Sequence, residues 1–324
     1  MIIIIFLLII VITIIICNNK EYFKQCKSIN YLSPNSSCKR LKNVNESYNY
    51  NELDLKLRNI NSKIYYDEIY KFYCNNMIDF TKKDKILLTW CFDNLKKHTP
   101  EHLLFIYDNL NIGKYNNFIE NGFPHTNNNI IFLSEEFINN ILGYYNDNNV
   151  IECIKNIGSV LIHECIHIWQ FRQPDKFNNL YKNYWHFLKT DKIHNSEKYE
   201  NIKRFNPDGK DTNWVFNYNN KYIWFLSTYT KNAKNISHVK YIGINLTKLK
   251  NNEFLIEEGT KIDDLLNIPE FNSFFENLTG NHYHVNEISA ELLCIYYLKS
   301  MNISHKKFTN KAYRAMLIWL NKTL

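Results

Sequence analysis

The segment from Val150 to Phe171 constrains this chain most, because it places a His-Glu-x-x-His motif on a stretch of helical length. The motif consists of His163, Glu164 and His167, the stretch contains no proline, and Pro174 follows it. Residues four apart lie on one face of an α-helix, so the two histidines can direct their imidazoles at a single ion. The pattern predicts a zinc site on a helix, with Glu164 holding a water molecule and taking its proton.

A competing interpretation treats the motif histidines as ordinary residues of a buried helix, with Glu164 bonded to one of them. The metal site is favoured by a second group of residues, because catalytic zinc needs a third protein ligand. Residues 284–291 supply Glu287 and Glu291, which are four apart and share one helical face. We expect one of these carboxylates to ligate the ion and the other to support it.

Together the two motifs resemble those of the thermolysin-like zincins, or gluzincins, in which a later helix bears Asn-Glu-x-x-x-Asp or Asn-Glu-x-x-x-Glu. Asn286, Glu287 and Glu291 match this second pattern. The resemblance implies an α+β zincin-like peptidase domain that uses Zn²⁺, with Glu287 as third ligand and Glu291 as acceptor for a ligand imidazole. It also implies that residues 129–134 form the edge strand that pairs with an extended peptide substrate.

The spacer between the motifs is longer than in compact thermolysin-like enzymes, since 119 residues lie between His167 and Glu287. We therefore expect either an inserted subdomain at about residues 175–280 or a different zincin family. The alternatives for the third ligand are Glu291, His282 and His284.

A further candidate group lies just before the second motif helix and consists of His282, Tyr283 and His284. Each of these side chains could donate a hydrogen bond to an oxyanion or act as an acid. The alternative for each is an ordinary polar residue in a loop at a helix start.

The apolar run at residues 2–16, interrupted only by Thr13, is shorter than a typical spanning helix but long enough for a signal sequence. We expect residues 1–17 to act as a signal peptide or a signal anchor, so that the protein is secreted or membrane-anchored. Disulfides are expected on this route, but the pairing of the eight cysteines cannot be deduced. Glycosylation sequons fit the same route and occur at Asn35, Asn45, Asn235, Asn245, Asn277, Asn302 and Asn321.

The rest of the chain divides at about residue 100. Residues 18–99 are predicted to form a stalk and a largely helical region, or a pro-segment, because helical spacing at 52–97 indicates two or three helices. Residues 100–324 are predicted to form the α+β catalytic domain. Its predicted elements are a strand at 129–134, a helix beginning near Ser134, strands at 214–218, 222–229 and 239–244, and a helix at 285–299.

The net charge of +7 comes from 39 basic and 32 acidic residues that are spread along the chain. Without a long basic block, nucleic-acid binding has little support, and the expected partner is a peptide or protein substrate. An alternative function is a catalytically inactive zincin-fold glycoprotein, membrane-bound or secreted, that acts as a binding module. The intact Glu164 argues against that function, and the apolar leader argues against a DNA-associated metalloprotease.

Overall fold

The computed structural model describes residues 29–42, 50–60, 66–208, 213–262, 264–278, 282–304 and 308–324. This part of the chain is α+β, as predicted, with helices packed around two β-sheets. Among these residues, no helix is both long enough and apolar enough to cross a membrane. The predicted leader at residues 1–17 lies outside the described residues, so its role stays a prediction.

The described residues before position 100 form one short strand and four helices. These are β1 (Asn30–Tyr31), α1 (Pro34–Lys42), α2 (Glu52–Leu57), α3 (Tyr66–Asn75) and α4 (Lys82–His98). The last three helices agree with the predicted two or three, whereas α1 was not predicted, because serine and proline are typical of a turn. Here Ser33 Oγ accepts a hydrogen bond from the Ser36 N–H at 3.3 Å, and Pro34 opens the helix.

The helix α4 belongs to the main hydrophobic core. Its Leu88, Phe92 and Leu95 are completely buried in the core that also contains Leu161 and Leu292. Apolar surface of this kind is costly to expose to water. Removal of the residues before position 100, which the pro-segment hypothesis requires, would therefore uncover part of the core.

The first sheet has the strand order β1-β2-β4-β3, where β2 is Asn111–Tyr115, β3 is His125–Asn127 and β4 is Ile130–Ser134. β2 is parallel to β1 and β4, whereas β3 runs antiparallel to β4. The strand predicted at 129–134 is confirmed, but its predicted edge position is wrong, because β3 folds back along β4 and takes the edge. Asn128 makes this reversal with a positive φ of 53°, which asparagine tolerates.

The predicted motif helix is present but contains an irregular turn. After α5 (Glu135–Asn146), which Ser134 caps as predicted, come α6 (Val150–Cys153), a π-helical turn (Ile154–Gly158) and α7 (Ser159–Arg172). Gly158 allows α4 to approach, since a Cβ there would lie 2.8 Å from Leu95 Cδ2. α7 ends before Pro174, which begins α8 (Pro174–Asn179).

The chain between the two motif helices forms the second sheet, with the strand order β5-β7-β8-β9-β10-β6. Its elements are β5 (Phe187–Lys189), β6 (Lys192–His194), the short helix α9 (Glu197–Glu200), β7 (Trp214–Tyr218), β8 (Lys221–Tyr229), β9 (Val239–Lys248) and β10 (Glu253–Ile262). Neighbouring strands are antiparallel except β6 and β10. The three predicted strands are β7, β8 and β9, whereas β5, β6 and β10 were not predicted.

The described C-terminal helices are α10 (Pro269–Phe275), α11 (Val285–Ser300) and α12 (Lys311–Thr323). α11 confirms the helix predicted at 285–299, and it packs directly against α7. The two sequence motifs therefore face each other across a helix–helix contact.

Candidate metal centre

The side chains of His163, His167 and Glu287 converge between α7 and α11. The two imidazole Nε2 atoms are 3.0 Å apart. Glu287 approaches both rings, with Oε2 at 3.4 Å from His163 Nε2 and Oε1 at 3.3 Å from His167 Nε2. Across the described ranges, this is the one group of His, Cys, Asp and Glu side chains arranged so that they could hold a metal ion.

The spacing and chemistry of this cluster fit zinc. Two ligands at ~2.1 Å from a tetrahedral zinc ion are ~3.4 Å apart. The observed separations of 3.0, 3.3 and 3.4 Å lie around that value. Two imidazoles and one carboxylate also leave a fourth position open, as catalytic zinc sites do.

Gln170 determines which nitrogen of His167 faces the cluster. Its Nε2 donates hydrogen bonds to the Asn286 carbonyl and to Ser289 Oγ, both at 2.8 Å. Its Oε1 therefore accepts the remaining bond, from His167 Nδ1, at 2.8 Å. With the proton on Nδ1, the neutral imidazole presents its Nε2 lone pair to the cluster, as a metal ligand must.

The electrostatics of the cluster favour a positive charge. Burial disfavours the imidazolium of His167, but the neighbouring Glu287 carboxylate outweighs burial and raises the pKa of His167 to about 10. Burial also disfavours the Glu287 carboxylate, but its attraction to His167 outweighs burial and holds its pKa well below the usual range. A proton or a metal ion can supply the positive charge, and the two compete for the same atoms.

Glu164 lies beside the cluster but is not part of it. It is buried, and its Oε2 accepts a hydrogen bond from Thr126 Oγ1 of the edge strand β3 at 2.7 Å. Its Oε1 makes no hydrogen bond to another described residue.

Asp208 also lies close to Glu164. The backbone N–H of Thr126 donates to Asp208 Oδ1. Burial, together with the charge of Glu164, raises the pKa of Asp208 well above its usual range.

A cavity of about 510 Å³, here called the central cleft, opens onto these groups. Its histidine and acidic lining residues on the side of the motif helices are His163, Glu164, Glu287 and Glu291. Three further polar residues, Arg204, Asn206 and Asp208, come from the segment between α9 and β7. The cleft thus joins the two motifs to a segment that sequence analysis did not single out.

Of the three residues before α11, only Tyr283 lines the central cleft. Burial raises its pKa well above the usual range, so its hydroxyl stays protonated and can donate a hydrogen bond. His284 caps α11, because its Nδ1 accepts the Asn286 N–H at 3.2 Å. His282 is buried against the rings of Tyr241 and Phe271.

The structure adds Gln170, Thr126 and Asn206 to the residues predicted for the site. Glu291 lines the cleft, and its predicted bond to a ligand imidazole stays a prediction, whereas Gln170 makes such a bond with His167. Gln170 could have been found, because it lies three residues after His167 on the same helical face. No local signal points to Thr126 or Asn206, which reach the site from a strand and a loop distant in sequence.

The described cysteines take no part in the cluster. Cys165, inside the motif, is buried and free. Burial raises its pKa, so it remains a thiol. Cys38 and Cys74 form a disulfide between α1 and α3.

No family model, curated protein or solved structure matches this chain. The function is therefore inferred from the geometry of the cluster and the cleft.

Proposed function

We propose that this protein is a zinc-dependent peptidase with a zincin-like fold, in which Glu164 is the general base. The observation that carries the proposal is the convergence of His163, His167 and Glu287 at 3.0 to 3.4 Å in a cleft that Glu164 also lines. The ordered tautomer of His167, held by Gln170, gives further support.

When bound, zinc would polarise a peptide carbonyl and lower the pKa of a water molecule. The protein groups have separate tasks. Glu164 accepts the proton of the attacking water and passes it to the leaving amine. Thr126 holds Glu164 Oε2 in place, which leaves Oε1 to take the proton. The protonated Tyr283 hydroxyl is positioned in the cleft to donate to the oxyanion that develops on the carbonyl.

The edge strand β3 supports a peptide or protein as the substrate. β3 pairs on one side with β4, and its Thr126 N–H points to the other side. There the Asp208 carboxylate accepts the hydrogen bond in the position that a peptide carbonyl would take. An extended substrate would pair with this edge by replacing Asp208 at the Thr126 N–H.

The alternative is a catalytically inactive protein that keeps the fold as a binding module. A purely structural metal site needs ligands and their hydrogen-bond partners, but no carboxylate beside the open position. Glu164 is such a carboxylate, and Thr126 orients it although it lies outside the cluster of candidate ligands. This arrangement favours the peptidase.

We also propose that the protein is exported, as secreted or membrane-anchored protein. The disulfide between Cys38 and Cys74 supports this location, because such bonds persist in oxidising compartments. Expression of the full chain in eukaryotic cells, followed by glycosidase treatment, is expected to shift its mobility on a gel. A cytosolic, unglycosylated protein would contradict the proposal.

The proposed activity is tested by metal analysis and peptide hydrolysis on the full chain purified without chelators. We expect about one zinc ion per chain. Glu164→Gln should keep the zinc and lose activity by about 100-fold or more, because an amide cannot accept the proton.

The matched control is Glu152→Gln, the same substitution at a half-exposed side chain that forms an ion pair with Lys155. It should keep both zinc and activity. Protein that carries no zinc, or hydrolysis that survives Glu164→Gln, would overturn the proposal.

A further inference from the structure

Arg204 is a cation at the central cleft that the proposed mechanism does not use. It lies in a segment that pairs with the end of β8, where its backbone N–H donates to the Ser227 carbonyl at 2.8 Å and the neighbouring Lys203 bridges to Thr228. These backbone contacts hold the residue at the cleft. Its side chain lines the same cavity as His163, Glu164 and Tyr283.

The side chain of Arg204 has an unsatisfied hydrogen-bond donor. Its Nε is inaccessible to solvent and has no hydrogen-bond partner among the residues that the structure describes. Arg204 also forms no ion pair with any acidic side chain in the described ranges. Buried guanidinium groups are normally paired, because removing their hydrogen bonds to water is costly.

Two other arginines of this protein have structural roles, because their side chains form several hydrogen bonds within the chain. Arg58 donates to the carboxylates of Asp54 and Glu120 and to the Phe205 carbonyl. Arg172 donates to Asn129 Oδ1 and to two backbone carbonyls. Both side chains join distant parts of the chain. Arg204 makes no comparable bond to a described residue, so its side chain is available to a ligand in the central cleft.

The surroundings of Arg204 restrict the ligand. Among the described residues that line the central cleft, Arg204 is the only lysine or arginine, while Glu164, Asp208, Glu287 and Glu291 are acids. A dianionic phosphate would meet strong repulsion from these acids, whereas a carboxylate carries one charge. A planar carboxylate also matches the fork of a guanidinium.

A second polar group accompanies Arg204. Ser227 Oγ is also buried, and no described residue forms a hydrogen bond with it. Ser227 lines a smaller cavity next to the central cleft, and Arg204, Asn206 and Tyr283 line both cavities. Ser227 therefore adds a second unsatisfied polar group to the walls of these two cavities.

We propose that Arg204 binds a carboxylate of the peptide substrate in the central cleft, either the C-terminal carboxylate or an Asp or Glu side chain. This inference rests on the proposed peptidase function. It makes the protein selective for peptides that carry a negative charge close to the bond that is cleaved.

The test uses the full-length, zinc-loaded Glu164→Gln chain, so that binding is measured without hydrolysis. The probes are N-acetyl-Ala-Phe-Leu-Ala as free acid and as amide, and the amides in which the last residue is Glu or Gln. Calorimetric titration is expected to show tighter binding of a carboxylate peptide than of its neutral partner. Adding Arg204→Gln should weaken binding of that carboxylate peptide about 10- to 100-fold and leave the neutral peptides unchanged.

The two carboxylate sources give different results. If only the free acid depends on Arg204, the residue recognises the C-terminus and the enzyme cleaves close to it. If only the Glu peptide depends on Arg204, the residue recognises an acidic side chain. The inference is overturned if wild-type Arg204 shows no preference for either carboxylate peptide, or if Arg204→Gln weakens all four peptides equally.

Two further variants are controls for effects other than the loss of the contact between Arg204 and the carboxylate. Arg40→Gln makes the same change at an exposed position on α1 and should alter no affinity. Arg204→Lys keeps the positive charge but loses the two parallel N–H donors of the guanidinium group. It should therefore give an intermediate affinity, which serves as the test if the Gln variant does not fold.

Hydrolysis by the wild-type chain separates the two proposals. Cleavage without carboxylate preference overturns the role of Arg204 alone, whereas carboxylate-dependent binding without cleavage overturns the peptidase alone.

Discussion

Asn206 donates a hydrogen bond from Nδ2 to Oε1 of Glu287 at 2.7 Å, across 81 residues of sequence. The same Glu287 oxygen lies 3.3 Å from His167 Nε2. The loop that carries Asn206 therefore orients the carboxylate predicted to be the third ligand. Such support of a ligand is typical of zinc sites, where the partners of the ligands set their orientation.

Asn206→Ala is predicted to weaken zinc binding by about 10- to 100-fold, because Glu287 loses the donor that orients it. Zinc affinity can be measured by competition with a coloured chelator. Asn272→Ala, at an exposed position of α10, is the matched control and should bind zinc like the wild type. Equal affinities for the two variants would show that the hydrogen bond to Glu287 is not needed.

Gln170 provides a second prediction, because it holds the His167 tautomer. Gln170→Leu removes the acceptor for His167 Nδ1 and should weaken zinc binding by about 10- to 100-fold. Gln170→Glu keeps an acceptor at that point and should retain more affinity than the Leu variant. The same chelator competition measures both. If the Leu variant binds zinc as well as the Glu variant, the tautomer of His167 is fixed by another group.

The two carboxylates of α11 should differ in their effect on zinc. Glu287 lies in the cluster, so Glu287→Ala is predicted to abolish zinc retention during gel filtration. Glu291 lines the cleft outside the cluster, so Glu291→Ala should cost about 10- to 100-fold in affinity or activity at most. The opposite ranking would make Glu291 the ligand. If both variants retain zinc, the third ligand must be His282 or His284.

The buried pair of Arg58 and Glu120 predicts a dependence of stability on pH. Burial disfavours the Glu120 carboxylate, but Arg58 outweighs burial and lowers the pKa of Glu120 to about 2, against 4.5 for the free group. The stability from this group is therefore present above pH 4.5 and is lost as pH falls through about 2. A shift of this size corresponds to roughly 3 kcal/mol.

Urea unfolding between pH 2 and 6 measures this effect. Asp54, which also contacts Arg58, has its pKa raised by burial, so it offsets part of the gain. Glu120→Gln is expected to lower stability at pH 6 and to flatten the decline towards pH 2. If the stability of the variant falls as steeply towards pH 2 as that of the wild type, other carboxylates cause the acid sensitivity.

The parts of this protein that were predicted correctly from the sequence are those that depend on the spacing of residues along a single helix or strand. His163 and His167 lie on one face because they are four residues apart on a helix, whatever packs against it. For the same reason the helices α7 and α11 and the strand β4 were recognisable from their own residues. Each of these elements is defined by interactions within about one or two turns or a few alternating residues.

Tertiary structure alone decided the features that depend on packing between distant segments. Glu287 and Glu291 are equivalent on their own helix, and only the contact of α11 with α7 brings Glu287 to the imidazoles. β3 has three residues and too little periodicity to predict, yet it takes the edge because the chain reverses at Asn128. Asn206 reaches the site from a loop whose conformation is fixed by long-range hydrogen bonds and burial, which leave no periodic pattern in the sequence.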